Sequence, residues 1–136
     1  MDCVFCKIVK GDIPCQKLYE NDKILAFLDI SPIHKGHTLI IPKEHHENIL
    51  DMPDETLAEL AKTTKKISKA VKEATNADGF NVTQNNGAAA GQAVFHFHTH
   101  IIPRFDGDGL KTWPHKDIPE EEMKRIQEDI ASFLKD

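Results

Sequence analysis

Three histidines alternate with other residues in the segment His96-Phe97-His98-Thr99-His100. In a β-strand, successive side chains point to opposite faces, so the spacing predicts one strand that presents all three imidazoles on the same side. The residues between them, together with Phe95 and Ile101, would line the opposite side. A segment rich in Gly and Ala precedes this run and Pro103 ends it, which favours a strand over a helix.

Three imidazoles on one face suit several kinds of chemistry. Neutral ring nitrogens bind zinc. A neutral imidazole can also attack an electrophile or exchange protons near neutral pH. The remaining alternative, a solvated face without a role, is a poor explanation for such a triple beside a glycine-rich loop. The sequence therefore predicts either a metal site or a nucleophilic and acid–base site.

A second chemically active group is the Cys3-x-x-Cys6 pair, and Cys15 brings the chain to three cysteines. Such a pair in a reducing compartment more often indicates metal or redox chemistry than a structural disulfide. A redox motif needs a following helix in a βαβ unit, whereas this start looks rich in turns around Lys10-Gly11-Asp12 and leads to a short extended piece ending at Tyr19. The open alternatives are a zinc site, which needs two further ligands, and two free thiols.

Composition narrows the possible partners. The 136 residues suffice for one domain, 1–136, that buries about two-thirds of its unfolded surface. Lys and Arg number 17 against 22 Asp and Glu, which makes a nucleic-acid polymer a poor candidate and leaves a small phosphorylated ligand possible. No apolar run approaches the roughly 20 residues of a membrane span, and the polar start Met1-Asp2 is unlike a signal peptide, so we expect a cytoplasmic protein.

Three further strands are expected to position these residues. Residues 24–30 are almost continuously apolar and predict a buried strand, in which Asp29 needs a hydrogen-bond donor. Residues 37–42 predict the next strand. Residues 80–85 alternate in polarity and should pair antiparallel with the strand that carries the three histidines, because the glycine-rich loop joins the two.

Two amphipathic helices complete the predicted elements. The first runs from about Pro53 to Thr75 and ends at Asn76-Ala77-Asp78-Gly79. Its apolar stripe consists of Leu57, Leu60, Ala61, Thr64, Ile67, Val71 and Ala74. The second starts at Pro119 and should pack on the domain or on a second subunit. Its stripe consists of Met123, Ile126, Ile130, Phe133 and Leu134.

The glycine-rich loop, which begins at Asn85-Asn86-Gly87 and includes Gly91 to Ala93, is a candidate anion site. Glycines let backbone N–H groups approach an anion without interference from a Cβ atom. Gly91, Gln92 and Ala93 are therefore candidates to bind phosphate oxygens, although the same composition would suit a flexible connector.

Taken together, these motifs resemble the histidine triad (HIT) family, whose signature is His-x-His-x-His followed by apolar residues, and in particular its Hint-like branch with an N-terminal Cys-x-x-Cys pair. The similarity runs from Cys3 to about Arg104. Beyond the triad, the matching motifs are Cys3-Val4-Phe5-Cys6-Lys7-Ile8, Ile13-Pro14, Tyr19-Glu20, Ala26-Phe27, Asp29-Ile30, Pro32, Gly36-His37, Ile41-Pro42-Lys43, Asn85, Gly91-Gln92 and Ile101-Ile102-Pro103-Arg104.

The resemblance implies an α+β fold, with an antiparallel sheet, one long amphipathic helix and a C-terminal helix, in a homodimer. It also implies an adenosine 5′-monophosphoramidase-like hydrolase of purine nucleoside 5′-phosphoramidates or related nucleotidyl conjugates. His98 would attack the α-phosphorus to form a covalent nucleotidyl-histidine, and His100 would donate to a phosphoryl oxygen.

The resemblance also assigns ligand-binding residues. The slot for the base would consist of Phe5, Ile8, Phe27, Ile30 and Leu39. Asp29 would bind the ribose, His37 would support the active-site network, and Asn85, Gly91, Gln92 and Ala93 would surround the phosphate. A structural zinc ion would be held by Cys3, Cys6, His45 and His96. The remaining histidines, His34, His46 and His115, match no such position and are expected at the surface.

One departure bears on the activity. Many HIT hydrolases have Ser or Thr where this chain has Ala93, so only a backbone N–H remains there. Three alternatives stay open at this point: a dinucleoside polyphosphate hydrolase, a nucleotide-binding or partner-binding module without turnover, and a metal hydrolase with zinc on all three triad histidines.

Overall fold

A five-stranded antiparallel sheet with three helices forms the computed structural model, which describes residues 3–134. The strands are β1 (Lys17–Glu20), β2 (Ile24–Leu28), β3 (Thr38–Pro42), β4 (Gly79–Gln84) and β5 (Thr99–Arg104). The helices are α1 (Val4–Lys10), α2 (Asp54–Thr75) and α3 (Glu120–Phe133). In space the strand order is β1-β2-β3-β5-β4, and every neighbouring pair is antiparallel. The predicted α+β fold is confirmed.

Two predictions from the sequence concern a signal peptide and a membrane span. Met1 and Asp2, the basis of the prediction about a signal peptide, lie outside the described residues. Within residues 3–134, none of the helices combines the length and the apolar character that crossing a bilayer requires.

One face of the sheet packs against α2. Every second residue of the central strands points toward this helix and is buried there, among them Ile24, Ile40 and Ile101. The prediction for α2 is confirmed, including its end at Asn76, which adopts a left-handed φ of 58°. The stripe differs in detail, since the structure buries Leu60, Thr63, Thr64, Ile67, Ser68 and Val71 and exposes Ala61 and Ala74.

The opposite face is partly covered by α1. Its residue Phe5 is buried against Phe27, and this cluster also contains Leu25, Leu39 and Ile41. The prediction of a turn-rich start is therefore wrong. The Cys3 sulfur accepts from the Cys6 N–H at the first turn, and Gly11 closes the helix with a φ of 86°.

The strands next to the site are shorter than predicted. β2 ends at Leu28 and β3 begins at Thr38, so Asp29 and His37 lie just beyond the paired strands. The Asp29 N–H still donates to the His37 carbonyl oxygen (2.9 Å). This places their side chains at one end of the sheet, beside the triad.

The C-terminal helix α3 has no buried residue. Its apolar stripe is exposed, with Met123 at 54% and Phe133 at 88% of full accessibility. Packing of α3 on its own domain, one of the two predicted arrangements, is thus absent from the described residues. The other arrangement, contact with a second subunit, stays a prediction.

Candidate functional site

The triad segment is only partly a strand, so the prediction of one strand carrying all three histidines is wrong. β5 begins at Thr99, and His100 is the only triad member within it. The predicted alternation of faces holds for Phe97, which packs in the core beside α2, and for His96 and His98, which lie against Phe5 on the other side, whereas Phe95 is 45% exposed.

Two hydrogen bonds to backbone carbonyls explain why His96 and Phe97 lie outside β5. The Phe97 N–H donates to the carbonyl oxygen of His46 (2.6 Å), and the His96 ring donates through Nε2–H to the carbonyl oxygen of Pro42 (2.8 Å). Together they hold residues 96 and 97 against the end of β3 and the segment that follows it. The Phe97 side chain is fully buried in the core beside α2, which anchors the segment.

Four side chains from distant parts of the chain converge beside this segment. Cys3, Cys6, His45 and His96 each offer a ligand atom, and these atoms lie within 4.8 Å of one another. His96 Nδ1 is 3.4 Å from Cys3 Sγ and 3.6 Å from Cys6 Sγ, and His45 Nδ1 is 3.4 Å from Cys6 Sγ. A sulfur and a nitrogen that share one tetrahedral zinc ion are about 3.5 Å apart. The spacing of this Cys2His2 cluster is therefore compatible with Zn2+.

The protonation states in the Cys2His2 cluster also suit a cation. Because the His96 Nε2–H donates to a carbonyl, the lone pair lies on Nδ1 and faces both sulfurs. Burial lowers the pKa of His96 to about 4, so this ring is neutral near pH 7. Burial raises the pKa of the Cys6 thiol, and a cation would reverse this effect because it stabilises the thiolate.

The His98 ring has one nitrogen fixed and one free. Its Nδ1–H donates to the carbonyl oxygen of His96 (2.8 Å), so the lone pair lies on Nε2. Nε2 has no hydrogen-bond partner within residues 3–134, and it is not among the solvent-inaccessible unpaired atoms. The edge of Phe5 lies against the ring, with centroids 5.1 Å apart, and burial lowers the pKa of His98. A neutral imidazole with an accessible lone pair results.

Three more residues surround His98, and with it they form what we call the histidine–aspartate cluster: Asp29, His37, His98 and His100. Nε2 of His37 lies 2.9 Å from Nδ1 of His100 and 3.6 Å from a carboxylate oxygen of Asp29, while the His98 and His100 rings are 4.9 Å apart. Burial lowers the pKa of His37, and it lowers that of His100 to about 4. Asp29, His37 and His100 also have the composition of a metal site, but a 2.9 Å separation of two ring nitrogens is fully explained by a hydrogen bond.

The side chain of Gln92 braces the glycine-rich loop. Its Oε1 accepts from the Gly87 N–H (2.8 Å), and its Nε2 donates to the carbonyl oxygens of Glu47 (2.6 Å) and Val94 (3.1 Å). Gln92 is 4% exposed. The amide is thus occupied by the protein itself, so it holds the loop in place and is not free to meet a ligand.

Only some backbone N–H groups of the glycine-rich loop are free to donate to a ligand. The N–H groups of Gly91 and Gln92 already donate to the carbonyl oxygens of Ala88 and Gly87, whereas that of Ala93 has no partner within residues 3–134. The half-buried Asn85 lies close to Gly91, since a Cβ atom added there would be 3.7 Å from Asn85 Nδ2. Among the residues predicted to surround the phosphate, the unoccupied donors within residues 3–134 therefore include the Ala93 N–H and the Asn85 side-chain amide. Ala93 also lines a surface cavity of about 480 Å³ that reaches Cys3 and His45.

The apolar residues assigned to a base slot are divided in the structure. Phe5, Phe27 and Leu39 are buried together beneath α1, and Ile8 packs at the edge of this cluster. Ile30 does not join them, because it is 90% exposed. A base could contact only the rim of this cluster.

The other histidines differ from one another. His115 is exposed as expected, but the prediction that His34 and His46 are surface residues is wrong, since each is half-buried and has a ring nitrogen without solvent access. His34 stacks on Phe105, with centroids 4.4 Å apart. Backbone groups such as the Pro42 and His46 carbonyls also shape the site, and side-chain patterns in the sequence give no signal for them.

A protein-family model matches most of the chain. The family model described as HIT domain matches residues 10–107. A relative named adenosine 5′-monophosphoramidase hnt1, from Schizosaccharomyces pombe, is 48% identical over 137 residues, which cover 99% of this chain and 100% of the relative.

Solved structures of similar proteins have the same fold. A crystal structure of a protein from Streptococcus mutans UA159 superposes with a TM-score of 0.93 at 47% identity and covers 98% of this chain and 86% of that one. A zinc-bound histidine triad family protein from Mycobacterium smegmatis superposes with a TM-score of 0.77 at 42% identity and covers 98% of this chain and 96% of that one.

Proposed function

The chain belongs to the HIT domain family and is an enzyme of that family, and from this premise we propose that it hydrolyses purine nucleoside 5′-phosphoramidates and related nucleotidyl conjugates through a covalent nucleotidyl-histidine. The relative from Schizosaccharomyces pombe, named adenosine 5′-monophosphoramidase, supports this choice of substrate. The observation that carries the proposal is the neutral His98 ring, with Nδ1–H bound to a carbonyl and the Nε2 lone pair free.

The first step would be attack by His98. Its Nε2 lone pair forms a bond to the α-phosphorus, the bond from phosphorus to the leaving amine breaks, and the amine gains a proton from solvent water. The His96 carbonyl, which holds the Nδ1–H, stabilises the positive charge that the ring acquires. Water then attacks phosphorus and the N–P bond breaks. This step releases the nucleoside monophosphate and regenerates free His98.

Donors around His98 would stabilise the charge that develops on the phosphoryl oxygens. The free Ala93 N–H, the Asn85 amide and the His100 ring are the candidates. A preorganised donor of this kind is typically worth roughly 3 kcal/mol of transition-state stabilisation. Asp29 would accept from the ribose hydroxyls, because within residues 3–134 its Oδ1 accepts from the Ser31 N–H (2.8 Å) and its Oδ2 has no hydrogen-bond donor.

Zinc would have a structural role in this scheme. Held by Cys3, Cys6, His45 and His96, it would cross-link α1 to the triad segment and so fix the carbonyl that orients His98. All four side chains would be ligands, which leaves no open position for catalysis by the metal.

A homodimer is also proposed. Among residues 3–134, β4 is an edge strand whose outer side pairs with no other strand, and it exposes Phe80 and Val82 at 39% and 46% of full accessibility. The uncovered apolar stripe of α3 adds further surface that a second copy would bury. Light scattering during gel filtration tests this directly, and a mass of one chain at micromolar concentration would refute it.

A substrate panel run beside His98→Ala tests the function. Adenosine phosphoramidate, its guanosine analogue and diadenosine tetraphosphate are compared, and the nucleotidyl-enzyme is trapped by acid quench. We expect turnover and a trapped intermediate with the phosphoramidates, and neither with His98→Ala. Faster cleavage of diadenosine tetraphosphate would favour the polyphosphate hydrolase, and binding without turnover would favour a non-catalytic module.

Metal analysis of the same variant separates the remaining alternative. Under the proposal, His98→Ala retains about one zinc per chain, while Cys6→Ala loses it. If His98→Ala lost zinc and activity together, a catalytic metal on the triad would replace the covalent mechanism.

A further inference from the structure

The hydrogen-bond partners of His37 determine which of its nitrogens carries the ring proton. A neutral imidazole has one proton, so a fixed donor at one nitrogen forces the proton to the other. Nδ1 of His37 lies 3.0 Å from the backbone nitrogen of Ile33, whose N–H can only donate. The His37 proton must therefore reside on Nε2.

Within the described residues, that proton has one partner at hydrogen-bond distance. His100 Nδ1 is 2.9 Å from His37 Nε2, whereas the nearest Asp29 oxygen is 3.6 Å away. His37 is 3% exposed, so water does not compete. Since His37 donates, His100 Nδ1 must accept, and the proton of the neutral His100 ring lies on Nε2.

We propose that the Ile33 peptide N–H and the His37 ring form a relay that locks His100 in the Nε2–H tautomer and so keeps one N–H on the ring edge away from His37, available to a phosphoryl oxygen. The identity of that acceptor rests on the proposed function, but the relay does not. His37 and the Ile33 peptide are positioning groups, because they act through His100.

The relay restricts what His100 can do. Its Nδ1 already accepts a hydrogen bond, so loss of the Nε2 proton would leave an anionic ring next to a second neutral imidazole. His100 therefore contributes a hydrogen bond and retains its proton. His100 is therefore not the acid that protonates the leaving amine.

A matched pair of variants tests the relay at its start. Ile33→Pro deletes the peptide N–H, and Ile33→Ala keeps it while removing the same half-exposed side chain. The readout is the 15N chemical shift of the ring nitrogens of His100 in histidine-labelled protein without substrate, assigned by its disappearance in His100→Gln.

We expect the parent and Ile33→Ala to show His100 protonated at Nε2 only. Ile33→Pro should populate the Nδ1–H form, with kcat lower by roughly tenfold and KM unchanged, the loss expected for one hydrogen bond. A parent protonated at Nδ1 of His100, or an Ile33→Pro protein with an unchanged tautomer, would overturn the proposal.

A second pair keeps the test decisive if Ile33→Pro does not fold. His37→Gln retains an amide donor for His100 Nδ1, and His37→Leu removes it. The tautomer should be preserved in the first variant and lost in the second, and equal tautomers in both would overturn the relay. A locked tautomer in a protein that cleaves no nucleotide conjugate would refute the proposed function and leave the relay intact.

Discussion

Replacement of Gln92 by Leu tests how the glycine-rich loop is held in place. The substitution keeps side-chain size but removes the amide, which makes three hydrogen bonds from a position that is 4% exposed. A hydrogen bond of this type contributes about 1 kcal/mol net, so the free energy of unfolding should fall by about 3 kcal/mol.

The same change should reduce activity more than stability alone explains. Without the Gln92 amide, its side-chain hydrogen bonds with the Gly87 N–H and the Val94 carbonyl oxygen are lost, and the Ala93 N–H is less well preorganised even though the backbone bond between Gln92 and Gly87 remains. Loss of one such donor from a reaction site typically costs about a hundredfold in kcat. We therefore expect kcat/KM for adenosine phosphoramidate to fall by at least tenfold in protein that is still fully folded.

Urea unfolding and steady-state kinetics measure the two effects. Ala89→Ser is the matched control, because Ala89 is exposed in the same loop and its side chain makes no hydrogen bond. This control should change the free energy of unfolding by less than about 0.5 kcal/mol. A Gln92→Leu protein within about 1 kcal/mol of the parent and equally active would refute the bracing role.

Three other outcomes follow from the structure. Ala93→Ser should raise kcat toward amine leaving groups, because it adds a hydroxyl at the free N–H, and an unchanged kcat would count against placing this position at the phosphate. Phe97→Ala should lower the free energy of unfolding by about 3–5 kcal/mol in urea, and a loss below about 1 kcal/mol would show that the ring is not packed. Burial lowers the pKa of His100, which faces the rest of the histidine–aspartate cluster, from 6.5 to about 4. As the pH falls through this interval, the unfolded chain binds the proton first, so the free energy of unfolding decreases. His100→Gln should flatten this pH dependence, and an equal slope in both proteins would contradict the assignment.

Local sequence patterns determined most of the secondary structure. α2 was predictable from Pro53 to Asn76 because an apolar stripe of helical period and its two end signals lie within one continuous segment. β4 was predictable, with its antiparallel pairing to β5, because the segment between the two strands contains glycines that let the chain turn back. The helix α1 was not, because a cysteine sulfur takes the capping role that Ser, Thr, Asp or Asn usually performs.

The candidate site divides in the same way. Residue types and spacing indicated imidazole chemistry at positions 96, 98 and 100, and the family resemblance added Cys3, Cys6 and His45 as partners. The sequence could not indicate that the triad bends before β5, because backbone carbonyls of Pro42 and His46 impose that bend from another part of the chain.

The sequence by itself determined which groups could react: neutral imidazoles, thiols and a glycine-rich loop. Only the tertiary structure decided which nitrogen of each ring is free, because that depends on carbonyls and peptide N–H groups that every residue type shares. His98 is free at Nε2 since the His96 carbonyl holds its Nδ1–H, and His37 is oriented by the peptide of Ile33. Backbone hydrogen bonds made across the fold, which no side-chain pattern encodes, convert a row of histidines into rings with different roles.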